Sequence, residues 1–225
     1  YSDEQIDRER FFSRLRAEKY TFTKTINLSN DSEIFIPSQL VYLSSNFDSE
    51  ISIRGERIST GAACGQRGTA HALMNGFFEV VERDSWIYSY LTQRKMKRVV
   101  NLSDDLKKLE DYLRRYNLET NIFDITSELG IPSITCFTID GTGIGDAVNI
   151  GAKSCTNYHD AIEGAVLESI QSRRGSRINR ENSETEKKIE GKNIWTVEER
   201  HLYCRPLERI NDLKPWLETS DEVDY

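Results

Sequence analysis

The sequence has no run of about 18 apolar residues, which excludes a membrane-spanning helix and makes a membrane partner unexpected. Its first residues, Tyr1-Ser2-Asp3-Glu4-Gln5, are polar and acidic and lack the apolar stretch of a secretory signal. Cysteines are few and scattered. Cys64, Cys136, Cys155 and Cys204 form no Cys-x-x-Cys pair and have no histidine at zinc-finger spacing, which argues against a zinc site. They read as free thiols of a reducing compartment, with the cytoplasm as the default location. The histidines, His71, His159 and His201, share neither metal nor triad spacing. Neither a Gly-x-Ser-x-Gly elbow nor a P-loop is present. Positive charge is not in excess either: 30 Lys and Arg face 37 Asp and Glu, for a net charge of -7. A phosphate backbone demands a basic face, so no nucleic-acid partner is expected and a small or neutral partner fits better.

What remains is a charged chain with enough apolar content to fold. Its 225 residues are 37% hydrophobic and 30% charged, enough for a core beneath a highly charged surface. Helical and strand periodicities are mixed, so the expected class is α/β or α+β. Residues 3–19 predict a helix with Phe11, Phe12 and Leu15 on one face, and residues 33–43 a strand broken at Pro37. Residues 50–64 predict an extended segment closing on Ser59-Thr60-Gly61-Ala62-Ala63-Cys64-Gly65, small enough for a ligand to approach. Thr69 opens a long helix to about Leu91, with Leu73, Phe77, Val80, Val81 and Trp86 at helical spacings. A second helix is predicted over 103–116, with Leu106, Leu109, Tyr112 and Leu113 as its apolar stripe. Residues 121–125 and 133–139 predict strands joined through the Gly130-Ile131-Pro132 turn. Residues 149–152 predict the end of another strand, and residues 158–174 a third helix. Residues 178–192 are nearly all polar and predict a mobile linker, after which Trp195, Tyr203, Leu207 and Trp216 anchor the tail.

Two of these helices carry candidate chemistry. In Phe77-Phe-Glu79-Val-Val-Glu82-Arg83-Asp84, residues three and four apart are neighbours on a helix. Glu79, Glu82 and Arg83 therefore share a face while Val80 and Val81 lean toward the core. Magnesium takes oxygen ligands and bridges carboxylate to phosphate, and an arginine pairs with either anion. The plainer reading is a solvated helix face with an ordinary Glu–Arg pair. Ala165-Val-Leu-Glu168-Ser-Ile-Gln171-Ser-Arg173-Arg174 repeats the layout, an acid and an amide at i and i+3 with arginines following; its plainer reading is a helix ending in cations. Gly141-Thr-Gly143-Ile-Gly145 departs from a dinucleotide fingerprint, because its third glycine falls one place early and no helix follows; it reads as a turn between strands.

Taken together, these runs resemble the YcaO family. Ser59-Thr-Gly-Ala-Ala-Cys-Gly followed by Gly76-Phe-Phe-Glu79-Val-Val-Glu82-Arg83-Asp84 is similar to the family's small-residue loop and "G-L-x-E-x-x-E-R-D" helix. Phe123-Asp-Ile-Thr-Ser-Glu-Leu-Gly-Ile-Pro132 resembles its "D-x-T-x-x-x-G-I-P" connection, and Glu168-Ser-Ile-Gln171-Ser-Arg173 its "E-x-x-Q-S-R" helix. Glu82-Arg-Asp-Ser-Trp86 and Arg200-His201-Leu-Tyr203 lean toward the azole-forming cyclodehydratase branch.

The resemblance implies a YcaO-like fold of mixed sheets flanked by helices, with ATP and Mg2+ as cofactors. It implies phosphorylation of the oxygen of a peptide amide, then attack by a neighbouring side chain to give an azoline, or by a sulfide donor to give a thioamide. It assigns Glu79, Glu82 and Glu168 to metal and Arg83, Gln171 and Arg173 to nucleotide, on two helices expected side by side with Glu79, Glu82, Glu168 and Gln171 facing one cavity. The implied partners are a peptide or protein substrate, a leader-binding or sulfur-delivery protein, and a second copy in a homodimer. Ala70-His71 stands where the family carries an acid, which leaves a non-catalytic YcaO-like scaffold as an alternative reading. A carboxylate-bridged metal protein fits less well, since neither helix has the Glu-x-x-His pair of that class. Residues 1–225 are expected to be a single YcaO-like domain, the central part of a longer protein without its first metal-binding helix and C-terminal tail.

Overall fold

A computed structural model describes residues 10, 12–14, 16–42, 47, 50, 67–182 and 202–225, side chains at 176 and 178–182 excepted. Contacts divide the chain into two compact units, Tyr1–Ser59 and Thr60–Tyr225. In the first unit, residues 10, 12–14 and 16–17 are helical, within the helix predicted over 3–19; Phe12 is exposed, and Phe11 and Leu15 lie outside the described residues. Strands β1 (Phe22–Asn27) and β2 (Ser32–Pro37) form an antiparallel hairpin, with Phe22 opposite Pro37 and Asn27 opposite Ser32. Asn27 and Asn30 accept the backbone N–H of Ser29 and Ser32 through their side chains, which is how asparagine fixes a tight turn. The strand predicted over 33–43 ends at Pro37, and the single helical turn α1 (Ser38–Val41) replaces its second half. The extended run expected at 50–64 falls, beyond Glu50, outside the described residues.

The second unit holds helix α2 (Thr69–Leu91), β3 (Lys97–Val99), α3 (Asp104–Arg114), β4 (Leu118–Asp124), β5 (Ser133–Asp140), β6 (Val148–Ser154) and α4 (Tyr158–Asn182). A 3-10 turn (Leu207–Leu213), the short α5 (Lys214–Leu217) and β7 (Glu222–Val223) follow. The strands form one sheet in the order β6-β5-β4-β3-β7, antiparallel except where β7 runs parallel to β3. Alternation along the strands gives the sheet two apolar faces. Ile122, Ile134 and Cys136 pack against Leu106 of α3 and Ala161, Ile162, Ala165 and Val166 of α4. Phe123, Phe137 and Val148 point the other way, to Met96, Leu213, Trp216 and Trp86 of α2. Helices therefore cover both faces, the α/β layering expected from the mixed periodicities. No helix among the described residues is long and apolar enough to cross a membrane.

Some side chains depart from the sequence reading. Helix α2 turns Val81, Glu82, Ser85 and Ser89 inward, while Leu73, Phe77 and Val80 are exposed. Val81 reaches the core as expected and Val80, a further 100° round the helix, does not. Small serines at 85 and 89 leave room for the helix to lie close to the sheet. In α3, Ser103 caps the N-terminus by accepting the Leu106 N–H, and Leu106 and Leu113 are buried, but Tyr112 lies outside, its ring tilted against that of Tyr116. Helix α4 continues to Asn182, so residues 178–182 are helical rather than linker; residues 183–192 lie outside the described residues, as does Trp195. Trp216 is fully buried and donates to the Arg94 carbonyl, Tyr203 is half-buried, and Leu207 is exposed.

Candidate functional site

The candidate site grows from the outer edge of β6. Asp140 N–H donates to Ala147 O and Cys155 N–H to Pro132 O, so alternate residues of β6 bond to β5 and the others, Ala152 among them, aim their N–H outward. The outward N–H of Ala152 donates to a Glu168 carboxylate oxygen at 3.1 Å. Glycine makes this possible. A Cβ on Gly151 would stand 2.2 Å from Ala165 O and 2.4 Å from Ser169 N, so only a residue without one lets α4 lie this close to β6. A 2.7 Å hydrogen bond between the Thr138 and Ser169 hydroxyls fixes the same seam.

Helix α2 reaches this edge from the other face, with its Trp86 ring 5.7 Å from that of Phe137. The two acidic helices are thus not side by side, as the motifs suggested, but on opposite faces of one sheet. The sheet orientation follows from adjacent strand residues: Thr138 meets α4 while Phe137 meets α2. Glu82 comes in buried, only 5% exposed. Glu79, one turn earlier, accepts from Arg83 at 3.0 and 3.3 Å.

The electrostatics single out Glu82. Burial pushes its carboxyl up to about 7, and the charges of Glu168 and Glu79 push in the same direction; Lys153 and Arg83 oppose them. Glu168 is also raised by burial, against the pull of the Ala152 N–H and of Arg83. Three carboxylates therefore feel one another with fewer cations than they need. The donor atoms are all oxygens and their charge is incompletely balanced, which suits a hard dication. Among the described residues, no three acidic, histidine or cysteine side chains converge closely enough to enclose a metal alone. Magnesium needs no such cage, since it is held by one or two carboxylates with phosphate and water completing the shell.

The structure brings together Glu79, Glu82, Glu168 and Arg83 of the residues picked from sequence. Gln171 is exposed one turn beyond Glu168. Arg173 Nε donates to the buried Asp140 carboxylate at 2.7 Å, at the end of β5. Lys153 escaped the sequence reading, although it directly follows the Gly151-Ala152 pair; its stem covers Gly164 while its charge faces the carboxylates. His71 is half-buried, its Nδ1 without a hydrogen-bond partner among the described residues.

A family model described as YcaO cyclodehydratase, ATP- and Mg2+-binding, matches residues 1–224. The YcaO protein of Methanopyrus kandleri bound with AMPPCP and Mg2+ is 18% identical, with a TM-score of 0.61, over 92% of this chain and 50% of that one. The E. coli microcin synthetase McbBCD complex is 18% identical, with a TM-score of 0.66, over 92% of this chain and 53% of that one. A heterocyclase in complex with substrate and cofactor is likewise 18% identical, with a TM-score of 0.63, over 92% of this chain and 26% of that one. At this identity the likeness shows the shared fold. The chain spans about half the length of the M. kandleri and E. coli chains. No curated protein matches the chain by sequence. The matched family model over nearly the whole chain, the shared fold and the acidic helices establish that the chain belongs to the YcaO family, whose cofactors are ATP and Mg2+.

Proposed function

We propose that this chain forms part of a site at which ATP activates a peptide backbone amide for azoline formation. The observation that carries the reading is Glu82, a buried carboxylate raised to about 7 beside two more acids. When bound, ATP supplies the phosphoryl group and Mg2+ neutralises the charge on its phosphates. The amide oxygen takes the γ-phosphoryl group and ADP leaves. A neighbouring Cys, Ser or Thr side chain then adds to the amide carbon, inorganic phosphate departs, and the lost protons pass to solvent. The chain's own groups position and balance charge. Glu82 and Glu168 hold the cation, and Glu79 keeps Arg83 extended along α2, where the guanidinium offsets phosphate charge.

Several observations support the reading. The family model is that of an ATP- and Mg2+-binding cyclodehydratase, the M. kandleri YcaO protein binds AMPPCP and Mg2+, and the heterocyclase is in complex with substrate. A peptide substrate and a partner protein that presents it follow from the same reading. Buried or half-buried free cysteines at 136 and 155 suit a reducing, cytoplasmic setting. In the full protein with a peptide substrate, Glu82→Gln is expected to lower ATP turnover about a thousandfold, the effect of losing an ionic ligand to a hard dication. Unchanged turnover would refute the assignment. Mass analysis of the product separates azoline, which has lost water, from thioamide, in which sulfur replaces oxygen. A peptide bound but unchanged, with no ATP consumed, would favour the scaffold alternative raised by His71.

A further inference from the structure

A second edge of the same sheet is built differently. Strand β3 covers only the far end of β4, where Lys97 and Arg98 pair with Asp124 and Phe123. After Val99 the chain leaves: Val100 N–H bonds to Val223 O, Asn101 adopts φ 56°, and α3 begins at Asp104. Among the described residues, no strand pairs with Leu118–Ile122 on that side. The ladder tells which backbone groups are left. Gly141 N–H donates to Asn117 O and Ile125 N–H to Ser133 O, so odd-numbered residues from 117 to 125 bond to β5. Leu118, Thr120 and Ile122 therefore aim their N–H and C=O away from β5. They open into a groove of about 560 Å3 between β4 and α3.

The groove has a charge as well as a shape. Its lining carries three cations, Arg98 on one side of the sheet edge and Lys107 and Arg114 of α3 on the other. It also carries two acids, which keep their charge: Glu110 accepts from the Thr120 hydroxyl at 2.7 Å and Glu119 from the Asn121 amide at 3.3 Å, and Arg114 pairs with Asp111 at 3.6 Å. Arg98 is held in place by Asn121 Oδ1 at 2.8 Å and Leu217 O at 2.7 Å, while Lys107 is exposed. The lining thus carries one cation in excess of its acids, on a chain that is acidic as a whole. A strand added here would point its side chains alternately toward Lys107 and Arg114 and toward Arg98, so acids at successive positions meet cations on both faces.

We propose that the open edge of β4 binds an acidic, extended stretch of the peptide substrate, which adds as a sixth strand to the five-stranded sheet. This rests on the reading that the chain acts on a peptide. The five residues from Leu118 to Ile122 are long enough for roughly 17 Å of extended chain. The groove lies on the far side of β4 and β5 from the carboxylates of the candidate site, so it holds the peptide outside the amide that reacts.

The test uses the full chain and three end-blocked ten-residue probes: a peptide alternating valine and glutamate, the same peptide N-methylated at alternate amides, and a valine–lysine counterpart. Binding is read by fluorescence anisotropy and by amide hydrogen exchange. The expected result is saturable binding of the glutamate peptide, with new protection at Leu118 and Thr120 but not at Asn121, already bonded to β5. N-methylation and lysine replacement should each weaken binding by about tenfold or more, and Lys107→Glu should narrow or invert the preference for glutamate over lysine. Glu82→Gln should bind the probe as the parent does, which keeps this result separate from the fate of the nucleotide site. No saturable binding, equal binding of the N-methylated peptide, or protection elsewhere would overturn the proposal. So would protection of Leu118 and Thr120 by self-association without peptide, which would assign the edge to a second copy.

Discussion

The two exposed margins of the central sheet solve the same problem in opposite ways. At β6 an outward backbone N–H is met from within, by Glu168, and that carboxylate becomes part of an acidic cluster with Glu82 and Glu79. At β4 the outward groups of Leu118 and Thr120 meet no strand among the described residues, and the charges lining the groove are Arg98, Lys107 and Arg114 against Glu110 and Glu119. An edge donor satisfied by a carboxylate leaves a negative charge that a cation can balance. An edge left open beside cations suits an acidic strand. On the proposed reading, metal-and-phosphate chemistry belongs to one margin and peptide docking to the other.

The contrast breaks most severely at Gly151. Valine there would drive a side chain into the backbone of α4, moving Glu168 off Ala152. A loss of about 3 kcal/mol or more in unfolding free energy is expected by chemical denaturation, since overpacking against backbone has little room to relax. Alanine should show the same effect in smaller measure. Unchanged stability of both variants would mean that the α4–β6 seam does not set the position of Glu168.

A second effect follows from the raised carboxyl of Glu82. The folded protein holds a proton that the unfolded chain, with an ordinary value of 4.5, releases. The stabilising contribution is therefore full below pH 4.5 and is lost as pH rises through about 7. Without Mg2+, the parent should lose stability across that window by an amount on the order of 3 kcal/mol, from about 1.4 kcal/mol per unit. Glu82→Gln, which cannot ionise, should show a flatter profile and be no less stable at pH 8. A profile for Glu82→Gln that matches the parent would show that Glu82 is not the raised group.

The smallest effect belongs to the surface of the same cluster. Arg83→Gln frees Glu79 from a half-buried i,i+4 pair, which should change stability by only about 0.5 kcal/mol while weakening ATP binding. A larger loss of stability would make Arg83 a structural residue.

Much of this fold was legible in the sequence because its long elements are strongly periodic. Helix α2 begins and ends at Thr69 and Leu91 as the pattern indicates, and the strands around 121–125, 133–139 and 149–152 are where alternation and the Gly130-Ile131-Pro132 turn placed them. Burial was harder to read. The inward side of α2 is made of Val81, Glu82, Ser85 and Ser89 with Trp86, so hydrophobicity found Val81 and Trp86 but also pointed to Leu73, Phe77 and Val80, which are exposed. The acidic cluster was visible as spacing within each helix, but not the sheet edge that unites it, because pairing register is a long-range property. Lys153 went unnoticed because a lysine within a strand has no helix-face signature, and the pairing of Arg173 with Asp140 was not legible because the two lie 33 residues apart.

On the proposed reading, Glu82 and its neighbours hold Mg2+ together with ATP. Calorimetry of Mg2+ and a non-hydrolysable ATP analogue binding to the full protein at pH 7, repeated in buffers of different ionisation enthalpy, tests it most directly. With its carboxyl near 7, Glu82 is about half protonated before binding and must ionise to ligate a cation, so binding should release roughly half a proton from this residue. Glu82→Gln should release none, bind the magnesium–nucleotide complex at least about tenfold more weakly, and melt no earlier than the parent. Equal affinity and equal proton release in parent and variant would contradict the account.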